Sequence, residues 1–269
     1  FYYPQNSLKA KLCFKGNKMI YDFAEKYKIK YKKCGKLIVI HNNKDKVNLL
    51  NLKINSEKNG IEGVKILSYP ESKLIEPRVK CLQSLWIPST GIIDSHGLMS
   101  KLENLSISRG VDIAYNTKLQ FIKKENNKFK LNFKDDCIYS DIVINAGGLG
   151  SYEISKKLNI NNHKIVYYKG DYFKSKSIKN LNCFLYPMPT SSSLGIHTVL
   201  SLNGDVSFGP NIYKVDAINY TTTDKYKEIY LEEINRYIDV ENDDIYEDFS
   251  GIRPKIDNIN IFNDFFIKN

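Results

Sequence analysis

Cysteine, histidine, arginine and tryptophan are all scarce in this 269-residue chain, and it has no long apolar run. The five cysteines (Cys13, Cys34, Cys81, Cys137 and Cys183) stand far apart with no C-x-x-C pair. An odd count at loose spacing argues against a disulfide framework and against a zinc site, and fits a reducing compartment. The four histidines, His41, His96, His163 and His197, are as dispersed as the cysteines, so no metal is assigned. A membrane-spanning helix needs ~20 consecutive apolar residues. The longest runs here, Leu37–Ile40 and Ile142–Ile144, are strand-sized.

Arginine is short in a particular way. Lysine and arginine together number 40 against 30 acidic residues, for a net charge of +10, yet arginine occurs only at 78, 109, 236 and 253. The remaining basic residues are lysines spread among asparagine and isoleucine. A nucleic-acid surface gathers Arg and Lys on one face; this dispersion points away from a nucleic-acid partner and speaks to solubility. Hydrophobic residues at 42%, charged at 26% and aromatic at 12% are the composition of a folded globular protein, with room for one large or two smaller domains. The chain opens on Phe1-Tyr2-Tyr3-Pro4, without a secretory signal pattern, and closes on Ile259–Phe262 and Asp264–Ile267, two strand-like stretches. Both ends read as cut from a longer protein.

Periodicity predicts helices over Gly16–Ile29, Asp45–Asn59, Ser95–Arg109, Ser151–Leu158 and Thr223–Ile238, where apolar residues recur at i, i+3 and i+4. Strands are expected at Lys36–His41, Val64–Tyr69, Cys81–Ile87, Val111–Tyr115 and Asp141–Asn145, in a hairpin around Asn126-Asn127, and in the β-rich remainder from Lys164. Asn203-Gly204 marks a further hairpin. Alternating strands and helices over Ile92–Leu158, with hairpins elsewhere, predict an α/β (α+β) protein: an α/β unit interleaved with an antiparallel β-rich one.

Three features carry chemistry. Gly148-Leu149-Gly150 follows an expected strand and precedes a helix, as a dinucleotide fingerprint would, but its sixth position is Glu153, not glycine. A strand-to-helix turn that needs glycine accounts for it better than an independent dinucleotide site does. His197, in Leu194-Gly195-Ile196-His197-Thr198, has the ring of a general base, although a lone strand histidine is usually structural. Arg253 lies between Gly251 and Pro254; its planar fork binds a carboxylate in a way lysine cannot. Tyr2, Tyr3, Tyr167, Tyr168 and Tyr172 are candidates to line a pocket in a chain with 19 tyrosines, and Trp86 reads as core.

In order along the chain stand Tyr2-Tyr3-Pro4, Ser7-Leu8-Lys9-Ala10, Cys34-Gly35-Lys36-Leu37, Asn59-Gly60, Glu76-Pro77, Thr90–Asp94, Asn145–Leu149, Tyr186–Pro189, Leu194–Thr198, Gly209-Pro210-Asn211 and Gly251–Pro254. This ordered set resembles the L-2-hydroxyglutarate dehydrogenases and oxidases, of the FAD-dependent family typified by D-amino acid oxidase. The family's N-terminal G-x-G-x-x-G, its ribose-binding acid and its C-terminal glycine segment are absent, so the chain reads as an internal piece that, alone, binds FAD poorly.

The resemblance implies a partial Rossmann-like FAD domain from residues 1–30, 91–162 and 251–269, and a substrate domain from 31–90 and 163–250. It implies FAD as cofactor, approached by Leu119, Ala146, Gly147 and Gly148, and a 2-hydroxy acid as substrate, bound by Arg253, Tyr172 and Lys9. The implied reaction is oxidation of L-2-hydroxyglutarate to 2-oxoglutarate, with hydride passing from C2 to flavin N5, His197 as the base, and a quinone or oxygen as final acceptor. The implied setting is cytoplasmic, with peripheral contact at the inner membrane. A related amino acid or amine oxidase, or a non-catalytic piece, are the alternatives.

Overall fold

A computed structural model describes residues 1–160, 164–190, 194–256, 262 and 264–267. His163 and most of the strand-like stretch expected at 259–262 lie outside the described residues. The first helix, α1 (Leu8–Tyr27), begins where the Ser7 hydroxyl accepts from the Ala10 N–H at 3.1 Å, and ends at Lys28 with φ 56°. It starts a full two turns before the periodic apolar face, because the cap and not the hydrophobic pattern sets its origin. There follow β1 (Tyr31–Lys32), β2 (Lys36–Ile40), α2 (Lys46–Lys58), β3 (Lys65–Ser68), α3 (Tyr69–Ile75), β4 (Gln83–Ile87), β5 (Ile92–Ile93) and α4 (Ser95–Ile107). Next come β6 (Phe121–Glu125), β7 (Lys128–Asn132), β8 (Cys137–Ser140) and α5 (Ser151–Lys157). The last part holds β9 (Ile165–Lys179), β10 (Phe184–Pro187), β11 (His197–Leu200), β12 (Asp205–Gly209), β13 (Tyr213–Val215), α6 (Lys227–Asn235) and β14 (Ile245–Ile256).

Two sheets build the core. One runs β10-β2-β4-β3, with β10 parallel to β2 and the other pairs antiparallel. The other runs β11-β12-β9-β13, with the long β14 antiparallel along β9. Every residue of β2 is buried. Leu37 and Val39 pack with Phe173, Phe208, Tyr230 and Ile234, while Ile38 and Ile40 pack on the opposite side with Leu49, Leu85 and Ile87. A strand covered on both faces explains the unbroken apolar run. Each such buried aliphatic side chain contributes roughly 1.5–3 kcal/mol over its exposed state.

The mixed α/β architecture is as expected, but two expected strands do not form. Residues 111–115 and 141–145 are without strand structure, and Val111, Ile113, Ile142 and Ile144 are exposed. Among the described residues none forms a ladder with either segment, and extended backbone without a paired neighbour is not a strand. Residues 264–267 are likewise outside any strand. Conversely, β14 makes Gly251–Pro254 part of a twelve-residue strand that no alternation in the sequence announces. No helix among the described residues is long and apolar enough to cross a membrane.

Candidate functional site

The centre of β9 is clamped by the turn at Gly209-Pro210-Asn211. The Asn211 side-chain oxygen accepts from the Asp171 N–H at 2.8 Å, and the Asn211 N–H donates to the Tyr230 hydroxyl at 2.8 Å. That hydroxyl in turn donates to the Asp171 carbonyl. Gly209 has φ +145°, and a Cβ built there would sit 2.7 Å from the Asp171 carbonyl oxygen and 2.8 Å from the Tyr172 ring. Gly209→Ala is therefore expected to destabilise the protein by roughly 1–3 kcal/mol, read as a fall of roughly 2–4 °C in Tm per kcal/mol. An unchanged Tm would show that the turn and Tyr172 separate without cost.

His197 opens β11, opposite Gly209 on β12. Its approach is built from the same motif. Gly195 (φ +73°) packs so closely on Pro187 that a Cβ would lie 2.5 Å from the proline ring. The Ile196 carbonyl accepts from the buried Tyr237 hydroxyl at 3.1 Å, and the Thr198 hydroxyl accepts from the Leu185 N–H at 2.7 Å. The imidazole is 7% exposed and stacks on Tyr186, with centroids 3.9 Å apart and planes at 20°. Its Nδ1 lies 2.8 Å from the Gly195 carbonyl oxygen. A carbonyl only accepts, so the proton of the neutral ring is on Nδ1 and the Nε2 lone pair is free.

Burial pulls the His197 pKa from 6.5 down to about 4; the Gly195 carbonyl opposes this and the Lys36 ammonium adds to it. The ring is thus neutral, the form a base requires, well below neutral pH. Between pH 6.5 and about 4 the unfolded chain binds a proton here that the folded chain refuses. Stability from this group is whole above pH 6.5 and falls as pH drops through that window, by about 3 kcal/mol in all. Urea unfolding at pH 7 and pH 5 should show about 2 kcal/mol of this loss in the wild type and a smaller loss in His197→Phe, which stacks but does not titrate. Equal losses would assign the acid lability elsewhere.

Arg253 is exposed on β14, in register with Tyr168 of β9. Its guanidinium makes no ion pair or hydrogen bond with a described residue. Its charge opposes the upward pull of burial on the hydroxyls of both Tyr172 and Tyr2. Tyr172 stacks on Phe249 at 4.3 Å, and lies within electrostatic reach of Tyr186. Arg253, Tyr172, Tyr2, Tyr186 and His197 therefore form one neighbourhood. Lys9 has its ammonium 5.3–5.9 Å from the ring centres of Tyr3, Phe262 and Phe265, and both it and Arg253 act electrostatically on Lys255.

The glycine turn joins this neighbourhood from the side. Gly147 N–H donates to the Asn145 side chain at 3.2 Å, Gly148 has φ +55°, and the turn leads into α5. Ala146, Gly147 and Gly148 are exposed. The Tyr167 hydroxyl donates to the Leu149 carbonyl at 3.1 Å, and Tyr167 pairs with Pro254. The turn thus abuts the end of the β9–β14 ribbon, one residue pair from Arg253. Leu119 stays apart from this turn but near α5, since the next carbonyl, Gln120, accepts from Lys157 at 2.6 Å. Of the five candidate tyrosines, Tyr168 carries the Lys255 ammonium over its ring at 4.6 Å.

Two residues of this neighbourhood, Tyr186 and Lys36, stand in the ordered motifs of the sequence without a site role. Lys36 offers a signal in hindsight: a lysine heads an otherwise apolar strand and is only 8% exposed. Among the described residues no group of histidine, cysteine and carboxylate side chains is placed to hold a metal ion.

The chain is 29% identical over 303 residues to the mitochondrial L-2-hydroxyglutarate dehydrogenase of Arabidopsis thaliana, covering 95% of the chain and 63% of that protein. It is 34% identical over 249 residues to the enzyme of the same name from Dictyostelium discoideum, covering 83% and 55%. The chain thus spans less than two thirds of the length of these relatives. Among solved structures it resembles L-alpha-glycerophosphate oxidase from Mycoplasma pneumoniae with FAD bound, at TM-score 0.83 and 20% identity over 94% of the chain and 69% of that structure. Glycine oxidase from Geobacillus kaustophilus superposes at TM-score 0.78 with 15% identity, over 95% and 70%. A family model described as FAD dependent oxidoreductase matches residues 1–269, and the chain belongs to that family.

Proposed function

We propose that the protein containing this chain oxidises L-2-hydroxyglutarate to 2-oxoglutarate. The observation that carries the reading is an arginine with no ion-pair partner among the described residues, joined through a tyrosine patch to a buried neutral histidine. That pairing suits a 2-hydroxy acid: a carboxylate to hold and a hydroxyl proton to remove. The names of the curated relatives support the substrate.

Support for FAD at residues 146–148 is their exposure and the space beside Gly148, where an added Cβ would meet nothing within 4 Å, whereas one on Gly147 would meet the Ile154 side chain at 2.7 Å. In this reading Ala146, Gly147, Gly148 and Leu119 hold the cofactor, and the FAD-side pieces are 1–30, 91–162 and 251–269, with 31–90 and 163–250 on the substrate side. FAD, when bound, supplies the hydride acceptor. Arg253 holds the C1 carboxylate, and Tyr172 lines the site beside it. Lys9 adds positive charge. His197 Nε2 takes the hydroxyl proton as C2 loses hydride, so that the alcohol leaves as a ketone with both hydrogens accounted for.

The test is to express the full reading frame, record a flavin spectrum and add L-2-hydroxyglutarate without oxygen. Bleaching of the flavin band is expected. A band that L-2-hydroxyglutarate leaves intact while glycine or L-proline bleaches it would make the protein an amine oxidase. Absence of any flavin would make the chain a non-catalytic piece.

A further inference from the structure

Lys36 is a cation in an unusual place. It heads β2, 8% exposed, beside Phe184 of β10. Its ammonium lies 4.2 Å from the ring centre of Tyr186 and 4.6 Å from that of Phe1. An ammonium has three protons to donate, and none goes to a described residue; no described carboxylate pairs with it. The aromatic faces offset part of the desolvation cost, yet burial still holds the pKa down to about 8. Among the described residues the buried side-chain oxygens and nitrogens without a hydrogen-bond partner are Asn132 Oδ1 and Asp171 Oδ1, so the Lys36 tip retains contact with solvent. A charge kept at such cost, uncommitted and open at its tip, is a charge kept for an anion.

Its position says which anion. Tyr186 is sandwiched between the Lys36 ammonium and the His197 ring, and Lys36 acts electrostatically on His197 itself. Arg253 acts electrostatically on Tyr172 and Tyr2 of the same patch, and Tyr172 acts on Tyr186. Two cations without a hydrogen-bonding or ion-pair partner among the described residues therefore serve one aromatic patch, Lys36 across Tyr186 from the proton acceptor and Arg253 through Tyr172. A monocarboxylic hydroxy acid would occupy one of them and leave the other unpaired; a dicarboxylate occupies both. We infer that Lys36 binds the second, distal carboxylate of the substrate and so sets the preference for a dicarboxylic over a monocarboxylic 2-hydroxy acid. This inference rests on the proposed reaction and adds the residue that selects the substrate class.

The test compares two substrates of equal chain length, L-2-hydroxyglutarate and L-2-hydroxypentanoate, in the full-length flavoenzyme. The quantity read is the ratio of their kcat/KM values. Lys36→Met, which suits the aromatic and apolar surroundings, should lower that ratio ~10-fold or more, as loss of a charged hydrogen bond does, chiefly through KM. Lys36→Arg should keep most of the ratio. If Lys36→Met does not fold, Lys36→Gln makes the same comparison with a polar tip. A ratio equal to that of the wild type, even with both rates reduced, would overturn the assignment and leave Lys36 as a residue acting on His197 or on the fold. Calorimetric binding of 2-oxoglutarate and 2-oxopentanoate separates this failure from failure of the reaction itself. If the wild type oxidises neither hydroxy acid, the proposed function falls. Lys36 is then upheld where its replacement selectively weakens 2-oxoglutarate binding, and rejected where it weakens both or neither.

Discussion

His197→Ala in the full-length enzyme should lower kcat by about 10²–10⁴-fold, the worth of a positioned general base, with FAD still bound. The geometry supports the size of the effect. The Gly195 carbonyl fixes the proton on Nδ1, Tyr186 fixes the ring plane, and the Tyr237 and Thr198 hydroxyls fix the strand on which the ring sits. The ring is thus held in one orientation and one tautomer, and positioning of this kind is what a base needs most. With the pKa pulled down to about 4, the basic form persists through the whole neutral range, and kcat should stay flat from pH 8 to about pH 5. A fall centred near 6.5 would show a solvated imidazole and contradict the burial. His197→Gln keeps a polar side chain without a base and should be as slow as His197→Ala. Wild-type turnover in either variant would make His197 a structural member of β11.

Replacing Arg253 should cost about as much, but in a different kinetic constant. A 2-hydroxy acid carries its C1 carboxylate on the carbon that loses hydride, so holding that carboxylate aims the C2–H bond. Two parallel N–H bonds from a guanidinium fix both position and plane; an ammonium fixes position alone. Pairing of Ile252, Arg253 and Pro254 with Lys169, Tyr168 and Tyr167 keeps the backbone beneath the guanidinium in place. Arg253→Lys is expected to lower kcat/KM by ~10-fold and Arg253→Met by ~100-fold, the span of charged hydrogen bonds, with a raised KM in both. Since no described residue bonds the guanidinium, thermal stability should change little. Equal kcat/KM in wild type and Arg253→Lys would exclude the clamp. A fall in Tm matching the fall in activity would make Arg253 a structural residue.

How much of this was legible beforehand differs by element, and for physical reasons. The Asn126-Asn127 and Asn203-Gly204 hairpins, the helix capped by Asp94 and the strand at 36–40 are all readable, because turn chemistry, caps and a doubly covered strand are local. Residues 111–115 and 141–145 mislead, because β-branched composition shows a capacity to pair and not a partner. Strand β14 is hidden for the converse reason. Its sequence carries Gly, Pro, Ser and acidic residues, and it is a strand only because β9 lies alongside. The motif Gly209-Pro210-Asn211 was visible as a pattern without a purpose until Asn211 and Tyr230 were seen to clamp Asp171.

The candidate site divides along the same line. His197 and Arg253 stand out in the sequence alone, one as a titratable ring in a strand and the other as a rare arginine in a lysine-rich chain. Their chemical types follow from composition and need no coordinates. What the tertiary structure alone decides is their company. Residues 36, 172, 186, 197 and 253 are separated by up to 217 positions, and sequence distance says nothing about which strands a sheet sets side by side. Protonation state is decided there as well. A histidine with an ordinary pKa and one held neutral to about pH 4 are the same letter, and the difference between them is the tyrosine, the carbonyl and the lysine that folding packs around the ring.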